Sequence, residues 1–225
     1  MKITKKCAIC GYEFTYNDEV VTSIFVRPAS DGAKYYFDLW HYNVECCPEC
    51  GYASRDVSTT LYKKIVEDKA FKEIDNNPMI RELNKARPNK VGFYLKASCY
   101  YESIGDTMNH IISLLQASDL VYAELMYWDE YVLDDSNSIS ALIGKSQFNE
   151  LKKFADVFFN KAVELLEDYV KNNSDDVDAN ILLAGTLSDG DKIQVMKSVK
   201  ILNMLKSVQL TKGQKQALSF LLEGL

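Results

Sequence analysis

Cys7-Ala8-Ile9-Cys10-Gly11-Tyr12 and Cys47-Pro48-Glu49-Cys50-Gly51-Tyr52-Ala53 repeat one pattern: cysteine, two residues, cysteine, glycine, tyrosine. Two intervening residues are about the shortest separation that lets a tight turn aim both sulfurs at one ion. Glycine after the second cysteine tolerates positive φ, which turns backbone N–H groups toward the thiolates. The two turns therefore read as halves of one metal site with Cys7, Cys10, Cys47 and Cys50 as ligands. Zinc held by four thiolates carries a net charge of about −2, so backbone donors, with Lys5 and Lys6, are expected to offset it. A closed four-sulfur cage is far more often structural than catalytic.

Two of the six cysteines are left over. Cys46 precedes the second pair directly, and using it in place of Cys47 would loosen the spacing to Cys50, so it is read as a neighbour of the site. Cys99 falls in the helical stretch Phe93-Tyr94-Leu95-Lys96-Ala97-Ser98-Cys99-Tyr100, where a thiol acts as a small apolar residue. His41 is a weak ligand candidate beside the four spaced sulfurs and reads more simply as a partly buried or surface histidine.

The chain has 225 residues, is 47% hydrophobic and 26% charged, and can bury one sizeable core or a medium core with a small appendage. No apolar run follows Met1-Lys2-Ile3-Thr4-Lys5-Lys6, and no stretch is long and apolar enough to span a bilayer, so a cytoplasmic setting and no membrane partner are expected. Reducing conditions favour metal over disulfide at the cysteine pairs. The net charge is −6, and residues 1–56 hold six Lys and Arg against eight Asp and Glu. A ribbon that binds nucleic acid needs a basic surplus to neutralise phosphates, so nucleic acid is disfavoured as a partner.

The organisation expected is α+β. Residues 1–56 form a small β-rich zinc-ribbon-like domain, and residues 57–225 form an all-α domain of helical hairpins. Within the ribbon, 20–26 and 34–44 have the β-branched and aromatic content of strands around a turn at 28–32. A module so small has little core, and metal binding supplies much of its folding free energy, with apparent values of about 10 to 16 kcal/mol for structural zinc in peptides. After Asp56 the apolar period becomes helical. Ser58 or Thr59 would cap a helix with Leu61, Ile65 and Ile74 near one face, closed by Asn76-Asn77-Pro78. A short helix follows Pro78 and stops before Arg87-Pro88. Longer helices are expected over 91–104, 106–132, 146–172, 177–188, 190–207 and 211–223, with a polar break at 134–138.

Short breaks between amphipathic helices imply antiparallel hairpins. Phe93, Cys99 and Tyr100 before Gly105-Asp106, and Leu182, Leu183, Ala184 and Gly185 before Gly190-Asp191, look like the first helix and turn of a tetratricopeptide-type hairpin. No clean 34-residue period accompanies them.

Sharper chemistry is missing from the sequence. Asp176, Asp178 and Asn180 start like a calcium loop, but the glycine is absent and Leu187 stands where the bidentate Glu belongs, so helix capping explains them better. His110 is a lone helical histidine with a structural role as its simplest reading. There is no phosphate loop, no HExxH and no glycine-rich nucleotide fingerprint. Asp129, Glu130, Asp134 and Asp135 read as a solvated helix end; Tyr122, Tyr127, Trp128 and Tyr131 could line a peptide groove, with core packing as the default reading.

With the motif Cys47-Pro48-Glu49-Cys50-Gly51-Tyr52-Ala53, and Cys7-Ala8-Ile9-Cys10-Gly11 followed by Phe14, the chain resembles the bacterial proteins grouped as domain of unknown function 2225. That resemblance implies a zinc ribbon on a tetratricopeptide-like helical part and carries no activity with it. The two cysteine turns also look like the loops of rubredoxin, which implies iron and electron transfer. The 36 residues between Cys10 and Cys47 are more than that family usually has. The expectation is a zinc-binding, non-enzymatic adaptor that binds a protein or peptide on its helical domain, with a rubredoxin-like iron protein as the alternative. No catalytic residue is assigned.

Overall fold

The computed structural model describes residues 2–17, 44–86, 91–132, 145–188 and 190–224. The strand readings at 20–26 and 34–43, the turn at 28–32, His41 and the polar break at 134–138 lie outside them, as do the side chains of Tyr127, Trp128, Asp129, Glu130 and Tyr131.

Both cysteine turns sit at the tips of antiparallel strand pairs. β1 (Lys2–Lys6) pairs with β2 (Glu13–Asn17), placing Lys6 opposite Glu13 and Thr4 opposite Thr15. β3 (Glu45–Cys46) pairs with β4 (Ala53–Ser54) over two residues each. Two-stranded hairpins of this size are marginal in water. They are tied together: Ala8 N–H donates to the Val57 carbonyl at 2.8 Å, and Lys5 joins Glu45 and Asp56 at 2.7 and 2.9 Å.

Beyond the hairpins the described residues are mostly helical, in eight α-helices, so the fold is α+β. They are α1 (Lys69–Asn76), α2 (Pro78–Ala86), α3 (Val91–Ser103), α4 (Thr107–Val132), α5 (Lys145–Asn172), α6 (Val177–Ser188), α7 (Lys192–Leu205) and α8 (Lys212–Glu223). Helix boundaries from Pro78 onward fall within two residues of the sequence expectation. The punctuation explains why. Pro78 opens α2 where its missing N–H costs nothing. Gly105, at φ +74°, ends α3 in a Schellman turn, with Asp106 N–H reaching the Tyr101 carbonyl at 2.9 Å. Asp191 with Gln194, and Thr211 with Gln214, form reciprocal capping boxes at the starts of α7 and α8. Asp176 accepts from Ala179 N–H at 3.0 Å, so it caps α6.

The first helix departs from expectation. It begins at Lys69, after a 3-10 turn at Ile65–Glu67, not at Ser58 or Thr59, and Leu61 is 84% exposed. Stronger partners than a helix ladder claim the backbone of this segment. Asp56 takes the Ser58 N–H and hydroxyl at 3.1 and 2.6 Å, Tyr52 donates to the Thr59 carbonyl at 2.8 Å, and Leu61 N–H donates to the Tyr100 hydroxyl at 3.0 Å. Asn77 and Pro78 do close α1, and Ile65 is buried.

The chain divides into two compact units within α5, after Ala162. In the first, α3 is the central helix: residues on every side of it are buried, including Val91, Tyr94, Leu95, Ala97 and Tyr101. It packs along α4 and against β4. In the second, α6, α7 and α8 close around Ile181, Ala184, Leu202, Leu205, Leu218 and Leu221. No helix among the described residues is long and apolar enough to cross a membrane.

Candidate metal centre

The two turns have the same backbone. Cys7 N–H donates to the Tyr12 carbonyl at 2.9 Å and Gly11 N–H to the Cys7 carbonyl at 3.0 Å. In the second turn Cys47 pairs with Tyr52 at 2.8 Å and Gly51 with Cys47 at 2.9 Å. Gly11 and Gly51 take φ of +74° and +73°, the left-handed conformation that the sequence requires of them. Each turn thus presents two sulfurs on one side of a tight loop.

The four sulfurs of Cys7, Cys10, Cys47 and Cys50 lie within 4.8 Å of one another. Two of the contacts cross between turns: Cys7 to Cys50 and Cys10 to Cys47, each at 3.6 Å. A tetrahedron with metal–sulfur bonds of about 2.3 Å has sulfur–sulfur edges of about 3.8 Å, so the donor set fits one ion. The same distances are far beyond a disulfide of about 2.05 Å, and all four thiols are free. The cluster can therefore hold a metal ion, with all four positions of a tetrahedron supplied by the protein.

Electrostatics agree with that chemistry. Burial pushes the Cys50 thiol up, the neighbouring cysteines reinforce the shift, and the Tyr52 backbone N–H opposes it. A divalent ion bound here would displace the thiol protons by bonding the thiolates directly. Cys46 is not among the four. Its half-buried sulfur lies 3.4 Å from the Gly51 carbonyl, and burial pushes it up to about 12 despite the charge of Lys96.

The lysines differ from their expected role. Partial burial alone would lower the Lys5 ammonium, but hydrogen bonds to Glu45 and Asp56 outweigh it and raise its pKa. Lys6 sits 3.9 Å from Glu13 on the exposed edge of the hairpin. The cation behind the second turn is Lys96, contributed by α3. It is 5% exposed, its Nζ meets the Asp75 carboxylate at 2.7 Å, and a Cβ on Gly51 would lie 2.8 Å from it. Its ammonium also stands 5.3 Å from the Phe71 ring centre. The signal for it in the sequence is a single charge in the otherwise uncharged run from Val91 to Tyr101.

The remaining candidates stay apart from the cluster. Cys99 is half-buried in α3, and burial pushes it up to about 11. His110 is buried on α4, its Nδ1 lies 3.0 Å from both the Ser98 hydroxyl and carbonyl, and burial lowers its pKa, so the ring is a neutral interhelical link. Tyr122 donates to Asp156. No family model matches the chain, and no curated protein or solved structure matches it either.

Proposed function

We propose that the protein is a zinc-binding, non-enzymatic interaction adaptor, in which a structural Zn(Cys)4 ribbon precedes tetratricopeptide-like helical hairpins that bind a protein or peptide. The observation that carries this reading is the closed donor set: four cysteine sulfurs within 4.8 Å leave no coordination position for substrate or water. Zinc is the usual ion of closed structural four-thiolate sites. The antiparallel pairs α3–α4 and α6–α7, each turning over a short polar break, support the helical-repeat reading. The same arrangement agrees with membership of the domain of unknown function 2225 family, which rests on the two cysteine motifs.

Iron is the second reading. Cys10 is an exposed residue while Cys7 and Cys47 are buried, and a ligand residue at the surface suits exchange of an electron with a partner.

Elemental analysis of protein made without added metal separates them. The expected result is a colourless protein with about one zinc per chain, and loss of that zinc in Cys50→Ser with the helical circular dichroism retained. Iron with visible colour and a reversible one-electron wave would replace zinc by the second reading. Turnover of a small molecule, with no protein or peptide bound, would remove the adaptor.

A further inference from the structure

Four of the seven large apolar side chains exposed among the described residues lie close together on and just after α7: Ile193 at 68%, Met196 at 65%, Met204 at 48% and Val208 at 41%. Their spacing is helical. Ile193, Met196, Lys200 and Met204 project within about 80° of one another at 100° per residue, and the stripe is about 16 Å long. The opposite side of α7 is its core face, where Ser198, Leu202 and Leu205 are buried. This apolar stripe is therefore the outward face of a firmly anchored helix.

Its charge is one-sided. From Lys192 to Leu222 there are six lysines and no Asp or Glu. The whole chain carries −6 and this stretch +6, so the remainder carries −12. Lys192, Lys197 and Lys200 are exposed on or beside the stripe, and Lys197 is held 2.7 Å from Glu167 on α5. An apolar strip flanked by cations on a basic segment calls for an apolar partner with carboxylates at its edges.

Resting on the adaptor reading above, we propose that the outward face of α7 is the docking surface, and that its partner is an acidic amphipathic helix. Apolar residues of that helix seat between Ile193, Met196 and Met204, and its flanking carboxylates meet Lys192 and Lys200. Methionine suits the task, because its flexible, polarizable side chain adapts to varied apolar surfaces. A second copy packed on the same face about a two-fold axis would set these lysines against themselves. A membrane would have to draw in the Lys200 ammonium together with the methionines on either side of it, without aromatic anchors at the interface. Nucleic acid would use the lysines and leave the apolar stripe wet.

The test uses the full chain and a synthetic helical peptide with leucines at i, i+4, i+7 and i+11 flanked by glutamates, read by fluorescence anisotropy. Saturable binding is expected, weakened by added salt. Met196→Ser combined with Met204→Ser should weaken it about tenfold, and Lys200→Glu by a similar factor. Leu61→Ser, at an exposed apolar residue of the other compact unit, should leave it unchanged, and all variants should keep the wild-type circular dichroism and melting temperature. Absence of binding, or equal binding by wild type and the stripe variants, overturns the assignment of this surface. So does co-sedimentation with phosphatidylserine vesicles through the same residues when the peptide is ignored. A peptide array separates this failure from that of the adaptor: binders indifferent to the stripe variants leave the adaptor standing, and no binder at all removes both.

Discussion

In the first cysteine turn the tyrosine after the glycine is 45% exposed and stacks on Phe14 with ring centres 6.4 Å apart. In the second the equivalent Tyr52 is fully buried, meets Tyr100 edge to face at 5.3 Å and donates its hydroxyl to the Thr59 carbonyl at 2.8 Å. The two turns share the same pair of internal backbone hydrogen bonds, and both bring two sulfurs to the cluster. What differs is the support behind them. The second turn is backed by the buried Ala53, Ser54 and Val57 and by α3, while the first faces solvent through Cys10, Gly11, Tyr12 and Glu13. Two turns of the same shape thus differ in support: the second is packed into the core, and the first is joined to it by the Ala8–Val57 hydrogen bond and the Lys5 ion pairs.

Metal removal should expose that difference most strongly. If the metal-loaded protein is treated with a chelator, the first turn loses the bonds through its sulfurs and keeps a two-stranded hairpin, marginal alone, with the Ala8–Val57 hydrogen bond and the Lys5 ion pairs. The second keeps its buried aromatic packing. Amide exchange at Cys7 and Gly11 should accelerate by orders of magnitude and exceed the change at Cys47 and Gly51, because local opening follows the loss of tertiary anchors. Equal acceleration in both turns would mean that the buried side of the second contributes nothing without metal.

The tyrosines give the next contrast. Tyr52→Ala removes a fully buried ring and its hydrogen bond and should destabilise the first compact unit by about 3 kcal/mol, the range of large-to-small aromatic changes in cores. Tyr12→Ala alters an exposed ring and should cost no more than about 0.5 kcal/mol. Urea denaturation followed by near-ultraviolet circular dichroism reads both. A cost for Tyr12→Ala matching that of Tyr52→Ala would show that the exposed turn is also packed in solution.

How far the sequence carries this comparison depends on the range of the interactions. Each turn is a local object, so the spacing of Cys7 to Gly11 and of Cys47 to Gly51 is enough to predict its shape, including positive φ at both glycines. The later helices are legible for the same reason, since Gly105, Asp191 and Thr211 punctuate them locally. Residues 56–64 are not. Their helical period is overridden by hydroxyls of Tyr52 and Tyr100, the latter 39 residues away from Leu61. Lys96 is missed likewise, because its partner Asp75 lies 21 residues earlier and nothing in the local pattern pairs them. The unequal burial of Tyr12 and Tyr52 belongs to this class as well: the two hexapeptides that begin at Cys7 and Cys47 cannot tell which of them α3 will cover.

The glycines offer the finest test of that asymmetry. Alanine at either position must adopt positive φ, a strain of about 1 kcal/mol. At Gly11 a Cβ would meet nothing closer than the Lys6 side chain at 3.8 Å, an ordinary contact with a flexible residue. At Gly51 it would stand 2.8 Å from the Lys96 ammonium, which is confined between Asp75 and the Phe71 ring. Relief requires moving a buried cation away from its carboxylate, and a buried charge that loses its partner is strongly unfavourable. Gly51→Ala should therefore cost more than Gly11→Ala by about 1 kcal/mol, with the excess removed when Lys96→Met accompanies it. A double-mutant cycle on thermal stability measures that coupling. Zero coupling would mean that Lys96 yields freely and that the second turn draws its rigidity from Tyr52 alone, whereas positive coupling places a side chain of α3 directly behind the turn that carries Cys47 and Cys50.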